Sequence, residues 1–190
     1  MAKRDIVFCG DPILRRKAKP IKEITPEVVE LLADMAETMI EAPGVGLAAP
    51  QVGESVRAIT VLECGDGEDR VHALINPRIV KRQGEEEGPE GCLSLPTLQG
   101  MVTRAAKVKA EGLDVEGNRV QIEAEGLLAR ALQHEIDHLN GVLFIDTVDL
   151  DTLGWLVPDQ EDEDGYTLVP TTREEAVARF AQMLKKAGAR

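Results

Sequence analysis

His134-Glu135-Ile136-Asp137-His138 constrains this chain more than any other stretch. Its histidines stand at i and i+4, a spacing at which a helix sends both rings off one face a single turn apart. Two imidazoles so placed can grip one divalent metal, while the Glu beside the first reaches water at the ion as a general base. The chain has 3 histidines, and two of them are spent here. A polar, exposed helix turn is the bland alternative; the spacing and its flanks favour a metal hydrolase. Leu127, Leu128, Ala131, Leu132, Ile136 and Leu139 recur with the helical period around the motif, and Asn140-Gly141 stops it.

A second helix is expected over 26–41. Thr25-Pro26-Glu27 reads as cap, first position and acidic first turn, and Val28, Leu31, Leu32, Met35 and Met39 follow at helical spacing. Between the helices lie short β-like runs at 57–62, 71–75, 78–81, 105–112 and 119–124, and Val142 to Ile145 reads as one more strand. The order is helix, antiparallel-looking strands, then metal helix, which is α+β rather than βαβ winding. Near the end, 153–157 and 166–169 flank an acidic loop with an Asp164-Gly165 turn, read as a hairpin spanning 153–169. Thr171 or Thr172 then caps a last helix with Glu174 and Glu175 in its first turn and Lys185 and Lys186 in its last. We expect a catalytic domain over 1–148, with hairpin and helix, 149–190, appended to the same domain.

Composition narrows the class. A chain of 190 residues with 43% hydrophobic and 29% charged residues buries a real core and is not disordered. A net charge of −12 argues against direct, specific nucleic-acid binding. The start, MAKRDIVFCGDP, is no signal peptide, and no run approaches a membrane span, so no membrane partner is expected. Three cysteines, at 9, 64 and 92, suit a reducing cytoplasm better than a disulfide framework.

Two histidines do not hold a catalytic metal firmly, and a third ligand must come from elsewhere. Phe144 occupies the place where a metzincin carries its third His. Glu161 and Glu163 lie far enough downstream for a thermolysin-like solution but sit in a solvated acidic loop. Cys92, in Glu90-Gly91-Cys92-Leu93-Ser94, is the remaining candidate; on spacing alone a ligand and a buried structural thiol fit equally. Gly44-Val45-Gly46-Leu47-Ala48-Ala49-Pro50-Gln51 matches a dinucleotide fingerprint, with Glu63 at nearly the expected interval. A helix precedes it where a strand is required, and Pro50 interrupts the helix that should follow. Its glycines fit a narrow cleft lined by main chain better, with Gln51 as a neutral donor.

GVGLAAPQ, EGCLS and QHEIDHL, in that order, resemble the three signature motifs of the peptide deformylase family. The resemblance runs from about Asp5 to Asp146 and includes Gly10-Asp11-Pro12-Ile13-Leu14-Arg15, Ile75-Asn76-Pro77 and Gly141-Val142-Leu143-Phe144. It implies an α+β fold with the HExxH helix surrounded by small antiparallel sheets and followed by a C-terminal helix. The implied activity is removal of the formyl group from the starting methionine of newly made proteins. The implied metal ligands are Cys92, His134 and His138, with Glu135 as acid/base and Gln51 and the Leu93 N–H as oxyanion donors. The implied metal is one divalent ion, Fe(2+), with Zn(2+) the alternative by commonness of such ligands.

Neighbouring residues carry two readings each. Val45 and Gly46 either offer main-chain hydrogen bonds to an extended N-formylmethionyl peptide or form a tight turn. Leu127 and Ala131 either line a methionine pocket or pack the core. Arg130 either pairs with an acid or snorkels to solvent, the commoner outcome. The resemblance implies that Glu90 and Arg104 form a buried pair under the Cys loop; His72 fits a strand residue better than a fourth ligand, and Cys9 and Cys64 fit small buried hydrophobes. The chain departs from the family pattern at Gln99, where an Arg is common, and in the hairpin. The resemblance implies that the last helix can dock on the ribosome, which Arg179, Lys185, Lys186 and Arg190 could serve; a solvated amphipathic helix is the default reading. An HExxH protease and a degenerate, non-catalytic metal- or ribosome-binding protein are the competing classes. Cys92 and the missing downstream His argue against the first, intact Glu135 and Gln51 against the second.

Overall fold

The computed structural model describes residues 2–65, 69–162 and 165–187. Strands β1 (Gly46–Ala48), β2 (Ala58–Glu63), β3 (Arg70–Gln83), β6 (Lys107–Leu113) and β7 (Arg119–Glu125) form one antiparallel sheet in the order β1-β2-β3-β6-β7. Strands β4 (Glu86–Cys92), β5 (Leu95–Arg104), β8 (Gly154–Pro158) and β9 (Tyr166–Pro170) form a second, in the order β4-β5-β8-β9. The helices are α1 (Pro26–Glu41), α2 (Gly126–His138) and α3 (Arg173–Ala187). This is the expected α+β arrangement.

Helix α2 is the centre of the molecule. Ala129, Leu132 and Ile136 sit in one buried cluster with Ile59, Val61, Val108 and Ala110 of the five-stranded sheet. Small alanines let the helix lie close to the strands, and the alkyl contacts supply most of the driving force. Helix α1 closes the far side of β1 to β3 through Leu31, Leu32, Met35 and Met39. Helix α3 sets Ala176 and Phe180 into a third cluster with Leu95, Leu98, Phe144 and Trp155. Thr172 caps it, donating its N–H to Glu175 Oε2 at 3.1 Å and accepting from Glu175 N–H at 3.2 Å through its hydroxyl.

Several expectations are corrected. Strands β1, β4 and β5 carry no β-like signature, because Gly44, Gly46, Gly88, Pro89, Gly91 and Gly100 interrupt the pattern. The runs 71–75 and 78–81 are one strand, bent at Asn76, whose φ is +52°. The side chain of Asn76 repays that conformation by bridging Ile21, accepting from its N–H at 2.9 Å and donating to its carbonyl at 2.8 Å. Val142 to Ile145 is no strand. Asp146 accepts the Leu143 N–H at 2.9 Å and starts a 3₁₀ turn over Phe144–Asp146, burying Phe144. Cys9 is buried as expected, but Cys64 is exposed at the end of β2. The hairpin forms as β8 and β9; Asp164 of its expected turn lies outside the described residues.

Candidate functional site

The β4–β5 connection and one face of α2 bring three donors together. The ligand atoms of Cys92, His134 and His138 all lie within 4.8 Å of one another, the one such group among the described residues. Cys92 Sγ is 3.2 Å from His138 Nε2, and the two imidazole centroids are 5.0 Å apart. Cys92 arrives by an irregularity: Gly91 pairs with Gln99 but Cys92 with Leu95, so Pro96, Thr97 and Leu98 bulge out of the ladder. Thr97 accordingly has a φ of +63°. Bulges re-aim side chains, and this one turns the thiol toward the helix.

A cysteine sulfur and two imidazole nitrogens are donor types that would suit a divalent ion. Second contacts bear out the fit. Glu90 Oε2 holds His134 Nδ1 at 2.9 Å, the carboxylate–histidine arrangement that orients metal-binding rings. Burial opposes a charge on His134, yet hydrogen bonds with Cys92 and Glu90 push its pKa well above the ordinary imidazole value. His138 is pushed the other way by burial and by His134, toward the neutral form that ligates.

Glu90 is the hub beneath the site. Arg104 grips it with two bonds, at 2.8 and 2.9 Å, and Arg130 Nη1 adds a third at 2.9 Å. Burial alone would raise its carboxyl; the hydrogen bonds from Arg104 and His134 outweigh burial and leave it at about 2. Arg104 also reaches Asp137 on α2. Arg130 therefore pairs with an acid rather than snorkelling, and it also donates to the carbonyls of Glu86, Gly88 and Val102. A Cβ on Gly88 would lie 2.8 Å from Arg130 Nη2, so a side chain there would have to displace the guanidinium.

Glu135 points into the space beside the donors. It is buried, Oε2 has no hydrogen-bond partner, and burial lifts its pKa to about 7. Gly46 makes room for it: a Cβ on Gly46 would come within 2.8 Å of Glu135 Cδ. Gln51 is held by its carbonyl, which accepts the Ala48 N–H at 2.8 Å. Its Nε2 is left with two long contacts, to Ser94 Oγ at 3.3 Å and Cys92 Sγ at 3.5 Å. Leu93 and Ser94 form the two-residue turn between Cys92 and Leu95.

These groups line one cleft of about 440 Å³, with Val45, Gly46, Leu127 and Ala131 on its walls. The polypeptide deformylase family model matches residues 3–152. This chain belongs to the peptide deformylase family. It is 56% identical over 149 residues to the peptide deformylase of Carboxydothermus hydrogenoformans, covering 78% of this chain and 95% of that one. The solved peptide deformylase of Legionella pneumophila is 40% identical, with a TM-score of 0.78, covering 100% of this chain and 99% of that one. The solved enzyme of Thermus thermophilus is 48% identical, with a TM-score of 0.71, over 75% of this chain and 84% of that one.

Within this deformylase fold the cleft is lined by Cys92, His134, Glu135, Gln51, Leu93, Val45, Gly46, Leu127 and Ala131; His138 is not on its wall but touches Cys92 Sγ. Val45 lines it with its carbonyl spent on the Leu62 N–H at 2.9 Å. Gly46 is opposite Val61 in the following, non-hydrogen-bonded pair of the ladder, so its main chain faces the free edge of β1. Glu161 is exposed and outside the donor group; Glu163 lies outside the described residues. His72 is a strand residue bound to Glu63 at 2.7 Å. Phe144, in the metzincin ligand position, stacks on His134 at a centroid distance of 6.3 Å. Sequence reasoning missed Ser94, which braces Gln51, and Leu156, which joins the cleft from β8. No local signal marks Leu156, because its place depends on the register of β8 against β5.

Proposed function

We infer that this chain removes the N-formyl group from the starting methionine of newly made proteins, with Cys92, His134 and His138 holding one divalent metal. The observation that carries the reading is the unpartnered Oε2 of Glu135 beside that donor triad, with Gln51 Nε2 on the same cleft. We take Fe(2+) as the metal and Zn(2+) as the alternative. The chemistry such an ion supplies when bound is Lewis-acid polarisation and a water nucleophile near neutral pH.

The remaining steps belong to side chains. Glu135 Oε2 takes a proton from the attacking water, and a pKa near 7 suits both that step and its reverse. As the water oxygen bonds to the formyl carbon, Gln51 Nε2 and the Leu93 N–H donate to the oxygen that becomes negative; one such donor is typically worth about 3 kcal/mol. Leu93 sits in the turn on the cleft wall, outside the β4–β5 ladder. Glu135 then gives the proton to the departing nitrogen, the C–N bond breaks, and formate and a free amine leave.

Gly46 offers its main chain to an extended peptide added at the edge of β1, with Val45 beside it as a wall. Leu127 and Ala131 line the methionine pocket. The exposed Lys185 and Lys186 of α3 support docking at the ribosome; Arg179 is already engaged over the Trp155 ring at 4.3 Å, and Arg190 lies outside the described residues. Among the described residues no helix is long and apolar enough to cross a membrane, and we assign the protein to the cytoplasm. We place residues 149–190 within the same domain as 1–148, on the pairing of β8 with β5.

The deciding measurement is kcat/KM for matched formyl-Met and acetyl-Met peptides. The donors and Glu135 converge on one carbonyl, and an added methyl displaces water or oxygen by about 1 Å, costing roughly a hundredfold or more. Equal rates would replace this reading with a broader amidase. Cys92→Ala should also lose the metal while Cys9→Ala keeps it; unchanged metal content in Cys92→Ala would refute the ligand set.

A further inference from the structure

The family match ends at residue 152, and the hairpin that follows contributes to the same cleft. On β5 and β8, Gln99 pairs with Gly154 and Leu98 with Trp155. Side chains alternate across a sheet, so Trp155 shares the inward face with Leu98, while Leu156 shares the cleft face with Gln99. On the inward face Trp155 packs on Phe180 of α3 at a centroid distance of 5.6 Å, while Val157 and Val169 stay 40% and 44% exposed.

The cleft face of the hairpin runs into the cleft through Leu156. Its cross-strand pairs are Gly154 with Pro170, Leu156 with Leu168, and Pro158 with Tyr166. Every side chain on that face is apolar or aromatic, yet Leu168 is 42% and Tyr166 55% exposed. Leu168 also leans over Gly154 toward β5, since a Cβ on Gly154 would lie 2.7 Å from Leu168 Cγ. The result is an apolar ledge that begins inside the cleft at Leu156 and runs outward from the donor triad. Exposed apolar surface of this kind marks a contact site, and its continuity with the cleft says what occupies it.

We propose that Leu156, Leu168 and Tyr166 form a subsite for an apolar side chain of the formyl-Met peptide, two to three residues downstream of the methionine. The proposal rests on the deformylase reading above. An extended peptide advances roughly 3.3 Å per residue, so positions three and four reach beyond the methionine pocket to the sheet that carries Gln99 and Leu156. Leucine or an aromatic residue there gains contact with the ledge; serine does not.

The test uses the metal-loaded full chain and formyl-Met-Ala-Ala-Ala peptides with Leu or Ser placed in turn at positions three and four. The wild type should favour Leu by about five- to tenfold in kcat/KM, through KM, as expected for partial burial of one leucine. Leu168→Ser should bring that ratio to within about twofold of unity. Val157→Ser, on the opposite face of the paired strand β8, should leave the preference in place, which separates contact from damage to the hairpin. A wild-type ratio near one, a ratio untouched by Leu168→Ser, or equal loss in Val157→Ser would overturn the ledge while leaving deformylation standing. Absence of turnover on every formyl peptide would overturn the function and the ledge with it. A dimer in sedimentation that Leu168→Ser dissolves would assign the face to a second copy instead, and so overturn the proposal.

Discussion

The two sheets meet the metal helix in opposite ways. The five-stranded sheet touches α2 with alkyl groups, Ile59, Val61, Val108 and Ala110 against Ala129, Leu132 and Ile136. The four-stranded sheet touches it with charge: Glu90 and Arg104 against Arg130, His134 and Asp137. Apolar contact is non-directional, so it decides where the helix lies but not where an imidazole nitrogen points. Hydrogen bonds to ionised partners are directional, and buried ones are tolerated only when fully paired. Support and aim are thus divided between the sheets, and α2 belongs to both.

The largest effect should come from the helix itself. Glu135→Gln keeps the shape but cannot accept a proton, so kcat should fall about a thousandfold with metal content unchanged. Metal analysis beside turnover checks this; retained turnover would end the acid/base assignment. Gly46→Ala tests the one point where the five-stranded sheet approaches the chemistry. A Cβ there must push Glu135 aside, since it would lie 2.8 Å from Cδ. A loss of about a hundredfold in kcat is expected for a displacement of that kind. A loss below threefold would mean that Glu135 has room to move and that its position is not critical.

Legibility in the sequence followed the same division. The metal helix was readable because its period and its His spacing are local, and α1 likewise. β4 and β5 were not, since Glu86–Cys92 reads EEGPEGC and carries no alternation. Cys92 fitted ligand and structural thiol equally until the bulge at Pro96 to Leu98 was seen, and the resemblance rather than spacing singled it out. Arg130 was assigned solvent by default because its partners, Glu90 and three carbonyls, come from strands more than twenty positions away. Val142 to Ile145 misled for the reverse reason: a β-like composition overruled by local capping from Asp146. Side-chain identity within one element was legible; aim set by another element was not.

Arg130→Met should separate aim from support. The change keeps much of the aliphatic stem but removes the bond to Glu90 and three bonds to carbonyls. Loss of such an outer partner typically costs about tenfold or more in metal affinity. Chelator competition on the purified protein measures it, and turnover at saturating metal should stay within about threefold of the wild type. Unchanged affinity would show that Arg104 alone holds Glu90 and would remove Arg130 from the aiming set.

The smallest effect is expected one residue from the catalytic glutamate. Ile136 stands between Glu135 and Asp137, yet its side chain faces the apolar cluster of the five-stranded sheet and is 6% exposed. Ile136→Val removes one methylene group there, which in a close-packed core costs about 1 kcal/mol. For a chain of this size that corresponds to a Tm lower by roughly 2–4 °C. Sequence proximity would predict damage to the site; the division between the sheets predicts none, because no hydrogen bond of the Glu90 network passes through this face. Thermal unfolding should therefore shift while metal affinity, read by the same chelator competition, stays within twofold of the wild type's. A larger fall in affinity than in stability would mean that the apolar contacts also aim the histidines, and the two sheets would not divide the work as proposed.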